Sequence, residues 1–151
     1  QGDYDVWGSY FADYYGNLSS VDNLVQNTVI YGHAANDENP DGEKFTQLFR
    51  YLDKDFLEEN PYIYLTINEE KVAFQIFAVF FTDTDFYYIN PSPSKDGFDT
   101  FMDTIKEKNE FVFTNNDVTE QDKLLTLSTC SERYDTNKTG DYRFVVMGRL
   151  A

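Results

Sequence analysis

One cysteine and one histidine are all that the 151 residues contain. A lone Cys130 cannot close an internal disulfide, so no oxidised framework holds this chain. Nor can a cysteine-rich metal centre form, and with His33 alone a zinc site would need carboxylates for most of its ligands. Basic residues are scarce as well: 12 Lys and Arg stand against 27 Asp and Glu, a net charge of −15. A nucleic-acid backbone needs clustered Lys and Arg, so that balance argues against it as a partner. No apolar stretch approaches the about 18 residues of a membrane span; the longest, 76–81, has the length of a strand. There is no internal repeat, no low-complexity tract, no linker and no glycine-rich loop to cradle a phosphate. No leader pattern is visible at the start, so composition alone leaves the compartment open.

What the chain has in quantity is aromatic: 14 Phe and 12 Tyr, a usage that favours sheets over helix bundles. The length suits one domain, 1–151, with a substantial core. β-branched and aromatic runs predict strands at 27–32, 62–67, 72–82, 123–130 and 142–150, with weaker signals at 9–12 and 111–113. Helical spacing of Phe45, Leu48, Phe49 and Leu52 predicts a helix over 43–52, after the turn at Pro40-Asp41-Gly42. Phe98, Phe101, Met102 and Ile105 predict a second over 98–108, about 96–109 with its ends, and Asp96 is placed to cap it. Polar loops fall at 34–42, 88–95, 115–122 and 131–141. The expected fold is therefore mainly β, a barrel with two or three helices in its crossovers.

In the run from Leu124 to Ser131, Leu124, Thr126, Ser128 and Cys130 alternate with Leu125, Leu127 and Thr129, the period of a strand. That puts the thiol at a strand end before a polar loop, a position suited to a nucleophile, although a lone Cys is also a small core hydrophobe. His33 directly follows the strand at 27–32, where it is either an ordinary exposed or core histidine or a proton-transfer group at a strand mouth. Arg143 lies near the start of the last strand. If the strands on either side of 131–141 pair antiparallel, Cys130 and Arg143 share one end of the sheet. Arg143, Val145 and Met147 then share one face, and Phe144 and Val146 the other. A guanidinium in so apolar a strand needs an acceptor, since burying it unpaired is costly. Glu132, Asp135 or Asp141 could supply one; so could a substrate carbonyl or oxyanion.

Other motifs are weaker. The stretch 37–42 has the composition of a calcium loop without its Glu-terminated twelve-residue pattern, and reads as solvated loop. Asp83-Thr84-Asp85 reads as a polar turn. Asn17-Leu18-Ser19 and Asn137-Lys138-Thr139 match a glycosylation sequon that is common by chance.

With His33, Cys130 and Arg143 in hand, the chain resembles a sortase of class B. The matching segments are Asn27-Thr-Val-Ile-Tyr-Gly-His33, Thr126-Leu-Ser-Thr-Cys130 and Arg143-Phe-Val-Val-Met-Gly-Arg149, in the family's order of His, then Cys, then Arg. The helix over 98–108, before the strand leading to the cysteine, fits the insertion that marks class B. The resemblance covers about Ser9 to Leu150. It departs from the family at Ala34, where an Asn commonly follows the histidine.

The resemblance implies a sortase-type β-barrel and a cysteine transpeptidase that cuts a sorting signal after Thr and passes the acyl group to an amine. Cys130 would be the nucleophile, His33 the acid and base, and Arg143 the group that orients substrate and steadies the oxyanion. Ser128 and Thr129, beside the nucleophile, are further substrate-binding candidates. No metal or organic cofactor is implied. The implied partners are a surface-protein sorting-signal peptide and an amine of peptidoglycan or its precursor. The implied place is the extracellular face of the membrane of a Gram-positive cell, with an N-terminal anchor, helices and opening barrel strands upstream of Gln1. A pilus-polymerising sortase, a cysteine peptidase using water, and a non-enzymatic β-barrel binding module are the alternatives.

Overall fold

The computed structural model describes residues 26–32, 44–67, 70–83, 86, 88–89, 93, 97–113, 118–130 and 142–151. Five strands emerge within a residue or two of the positions expected: β1 Asn27–Gly32, β2 Tyr62–Ile67, β3 Glu70–Thr82, β4 Leu124–Cys130 and β5 Arg143–Leu150. They form one sheet in the order β1-β4-β5-β3-β2, with β1 parallel to β4 and every other pair antiparallel. The mainly-β expectation holds, and barrel describes the sheet only loosely. Among the described residues β1 and β2 are edges that do not pair with each other, so the sheet is open. The weak signal at 9–12 lies outside the described residues.

Helices cover both faces. On one, a 3₁₀ helix, Lys44–Leu52, is followed by a short α-helix, α1, Lys54–Glu59. The sequence predicts α-helix over the first of these. Winding at three residues per turn instead sets Leu48 and Tyr51 in one row, and both are buried. Helix α1 is too short to show a period in the sequence. It starts because the Asp53 carboxylate accepts from the backbone N–H groups of Asp55 (3.0 Å) and Phe56 (3.5 Å). On the other face lies α2, Phe98–Lys108, which buries Phe98, Phe101, Met102 and Ile105 as its spacing predicts. Its N-cap is Gly97, at φ 98° and with no side-chain cap, where Asp96 was expected; Asp96 lies outside the described residues.

The two faces hold separate cores. Beneath the 3₁₀ helix and α1 lie Ile30, Leu48, Phe49, Phe74, Val79, Phe81, Leu125, Leu127, Phe144 and Val146. Phe144 sits between Phe49 and Phe81, at centroid distances of 4.7 and 4.9 Å. Beneath α2 lie Phe77, Phe80, Tyr88, Leu124, Val145 and Met147. The strand β3 serves both cores because a bulge between Ile76 and Ala78 changes its parity. Before the bulge Val72, Phe74 and Ile76 face the 3₁₀ helix; after it Val79 and Phe81 do. The Asn109 carboxamide holds the bulge, accepting from Val79 N–H (2.7 Å) and donating to Phe77 C=O (3.2 Å). Opposite, Gly148 fits because a Cβ there would meet Phe74 Cβ at 2.9 Å.

The strand expected at 111–113 does not form. Phe111 and Phe113 pack on the 3₁₀-helix side of the core while Val112 is 95% exposed, so the alternation is real. The ladder is limited to a single bridge, Phe80 to Asn109, and one bond from Glu110 N–H to Val79 C=O (2.8 Å).

Candidate active site

Four strand ends meet at one edge of the sheet. Because β1 runs parallel to β4, their C-terminal ends coincide, with Gly32 opposite Thr129. Because β5 runs antiparallel to β4, its first residue lies at the same edge, with Arg143 opposite Cys130. Next to it β3 ends there too, with Thr82 opposite Arg143. The backbone thus sets Cys130, Arg143 and Thr82 in one row across three strands. The antiparallel pairing that the sequence reading required is present, and it makes Cys130 and Arg143 register partners. His33 follows Gly32 in the chain and lies outside the described residues, as do 131–141 with Glu132, Asp135 and Asp141.

Arg143 is half-buried, and its Nη1 donates to the Tyr142 carbonyl at 3.0 Å. At the opposite end of β5, Arg149 is held by Gln75 (3.4 Å) and Asp122 (3.9 Å), a partly exposed, structural arrangement. One strand therefore carries an arginine at each end, and the Arg143 end is the one shared with Cys130.

The Ser128 hydroxyl is fully buried and shares a 2.8 Å hydrogen bond with the Tyr88 hydroxyl. The Thr129 hydroxyl points the other way along the alternation, is equally buried, and has no hydrogen-bond partner among the described residues. Sequence reasoning missed three polar residues on the α2 side of β1 and β4. Asn27 Nδ2 donates to the Tyr88 carbonyl (3.0 Å), and Asn27 Oδ1 accepts from Thr126 Oγ1 (2.7 Å). Thr126 and Ser128 at alternate positions of an otherwise apolar strand were a visible signal of a polar line on that face. Tyr88, in a loop, gave none. Among the described residues no group of three His, Cys, Asp or Glu could hold a metal ion, and no helix is long and apolar enough to cross a membrane.

The family model for the sortase domain matches residues 12–151. The chain belongs to the sortase family. Its relatives are of the class that the three segments suggested. It is 37% identical over 145 residues to sortase B of Listeria monocytogenes and 32% identical over 145 residues to sortase B of Staphylococcus aureus. Each match covers 95% of this chain and 54% of the relative, so the chain spans about half the length of these curated sortases. Among solved structures it is similar to a Staphylococcus aureus sortase B–substrate complex, with a TM-score of 0.70 at 29% identity, covering 88% of this chain and 58% of that one. Listeria monocytogenes sortase B gives a TM-score of 0.66 at 35% identity, covering 84% and 65%. The open sheet with a helix layer on each face is thus a sortase-type fold.

Proposed function

We propose that this chain carries the catalytic residues of a class B sortase, a cysteine transpeptidase with Cys130, His33 and Arg143 in the roles that chemistry assigns them. The observation that carries the reading is the register. Cys130 and Arg143 are cross-strand partners at the edge where β1, the strand leading to His33, also ends. Directly opposed residues of an antiparallel pair have Cβ atoms about 4.5–5.5 Å apart, close enough for both to meet one carbonyl.

The reaction begins when the Cys130 thiolate attacks the carbonyl carbon of a Thr residue in the sorting signal. A free thiol, with a pKa near ~8.5, is only a few per cent thiolate at neutral pH, so a cationic neighbour raises the reactive fraction. The tetrahedral oxyanion is met by the Arg143 guanidinium and by backbone N–H groups beside Cys130. Ser128 contributes by steadying that strand, since its buried hydroxyl is hydrogen-bonded to Tyr88. As the C–N bond breaks, imidazolium His33 gives its proton to the departing amine, leaving a thioester on Cys130 and a neutral imidazole. An incoming amine then attacks the thioester and loses a proton to His33. The new amide bond forms, the C–S bond breaks and the thiolate returns. No metal or organic cofactor enters this cycle.

In this reading the amine belongs to peptidoglycan or its precursor, and the site of action is the outer face of the membrane. The similarity to a Staphylococcus aureus sortase B captured in complex with its substrate supports a substrate-binding role for this sheet edge. The test is turnover of fluorogenic sorting-signal peptides with and without triglycine, with Cys130→Ala as control. Amine-dependent acceleration and an amide product support transfer. Indifference to the amine replaces transfer by hydrolysis.

A further inference from the structure

Asn27 begins the strand that runs to His33, six residues before it, and its register partner Leu124 begins the strand that runs to Cys130, also six residues before it. Asn27 is 1% exposed, and its carboxamide is engaged at both ends, by the Thr126 hydroxyl and by the Tyr88 carbonyl. Tyr88 is in turn bonded through its own hydroxyl to Ser128. Four buried residues thus form a closed polar link: Asn27 to Thr126, along β4 to Ser128, across to Tyr88, and back through the Tyr88 carbonyl to Asn27. Thr126 and Ser128 are next-but-one neighbours on β4, so the link spans both of that strand's polar positions on the α2 side.

Apolar pattern does not fix the register of β1 by itself. A one-residue slip would turn Ile30 out of the core and is strongly opposed. A two-residue slip keeps every side chain on its face, and among the described residues β1 has only one neighbouring strand, paired in the weaker parallel mode. Such a slip would carry the end of β1 about 7 Å along β4, beyond the reach of a proton transfer. It would also separate the Asn27 carboxamide from Thr126 and Tyr88, and leaving buried amide groups unmatched is costly. Single buried polar pairs set register in just this way in other packed elements.

We propose that Asn27 is a positioning residue that locks β1 in register against β4, and through β1 sets the place of His33 relative to Cys130. The proposal rests on the catalytic reading above. Asn27 is itself about 20 Å along the strand from the chemistry, so it acts only through the strand.

The test uses the full chain. Wild type, Asn27→Ala and Tyr88→Phe are compared for kcat with Thr-containing sorting-signal peptides and triglycine, each normalised to the Cys130 thiol titrated by iodoacetamide in the folded protein. Amide hydrogen exchange in 27–32 and in α2 is followed in parallel. Asn27→Ala is expected to lower normalised kcat about tenfold or more, because misplacing a reacting group by ångströms costs that much. Exchange in 27–32 should rise about tenfold while α2 is unchanged, the mark of a local opening. Tyr88→Phe keeps both Asn27 bonds and should stay within about threefold. If Asn27→Ala does not fold, Thr126→Val removes one of the two bonds and should give about a threefold loss. Wild-type normalised kcat in a folded Asn27 variant, or a loss that only tracks the folded fraction, overturns the proposal. If wild type itself transfers no peptide, the catalytic reading fails, and exchange in 27–32 decides the lock alone: no change on Asn27→Ala overturns it.

Discussion

The two faces of the sheet are built from the same strands and differ in kind. On the face under the 3₁₀ helix, β4 contributes Leu125 and Leu127, and β5 contributes Phe144 and Val146, in an apolar core centred on stacked aromatics. Toward α2, β4 alternates to Leu124, Thr126 and Ser128, and Asn27 and Tyr88 join them in a hydrogen-bonded line that runs toward the Cys130 end. The first face supplies adhesion, which is non-directional and tolerant of small shifts. The second supplies direction, because hydrogen bonds are lost by a shift of an ångström or two. By register, Cys130 and Arg143 fall at the alternate positions of β4 and β5 that belong to this second face.

The largest expected effect separates the faces most sharply. Cys130→Ala should reduce transfer to background while changing folding stability by less than about 1 kcal/mol, since it removes a single sulfur atom at the last residue of β4. Phe144→Ala, on the apolar face, should do the reverse. It empties the space between Phe49 and Phe81 and should cost about 3–5 kcal/mol in denaturant titration, with activity falling only as the folded fraction falls.

Next comes Tyr51, on the same apolar face, whose phenol is pushed up from 10.0 to about 12 by burial, with the Arg50 guanidinium pulling modestly the other way. The fold favours the neutral phenol. Its contribution is therefore fully present below pH 10 and is lost as pH rises through about 12, a loss of about 2–3 kcal/mol. Tyr51→Phe should remove that part of the alkaline limb, and the difference between the two pH profiles isolates it from the other tyrosines.

The smallest effects form a matched pair of opposite sign. Thr126→Val deletes a buried bond to Asn27 Oδ1 and should destabilise by about 1–2 kcal/mol. Thr129→Val, three residues along the same strand, replaces a buried hydroxyl that has no partner among the described residues and should stabilise by about 1 kcal/mol. Equal signs for the two would dissolve the distinction between the faces.

Much of this was legible in the sequence because it rests on periodicity. Alternation in β4 and β5 gives the faces, and the 3.6-residue spacing of Phe98, Phe101, Met102 and Ile105 gives α2. Where local pattern and long-range partners part company, the reading fails. Phe111 to Phe113 alternate as a strand but meet no ladder. The bulge at Phe77, which lets one continuous apolar run serve two cores, has no local signature. At the edge of the sheet, Cys130 and Arg143 were readable because one loop joins their strands. The parallel neighbour β1 was not, since it is paired across most of the chain's length. Asn27 and Tyr88 were invisible for the same reason: their meaning lies in each other and in β4.

The most direct measurement is intact mass of the protein after mixing with Thr-containing sorting-signal peptides, before and after adding triglycine. The account predicts an acyl adduct confined to Cys130, absent in Cys130→Ala, that triglycine discharges as a ligated peptide. Turnover that persists in Cys130→Ala, or an adduct on any other residue, would contradict it.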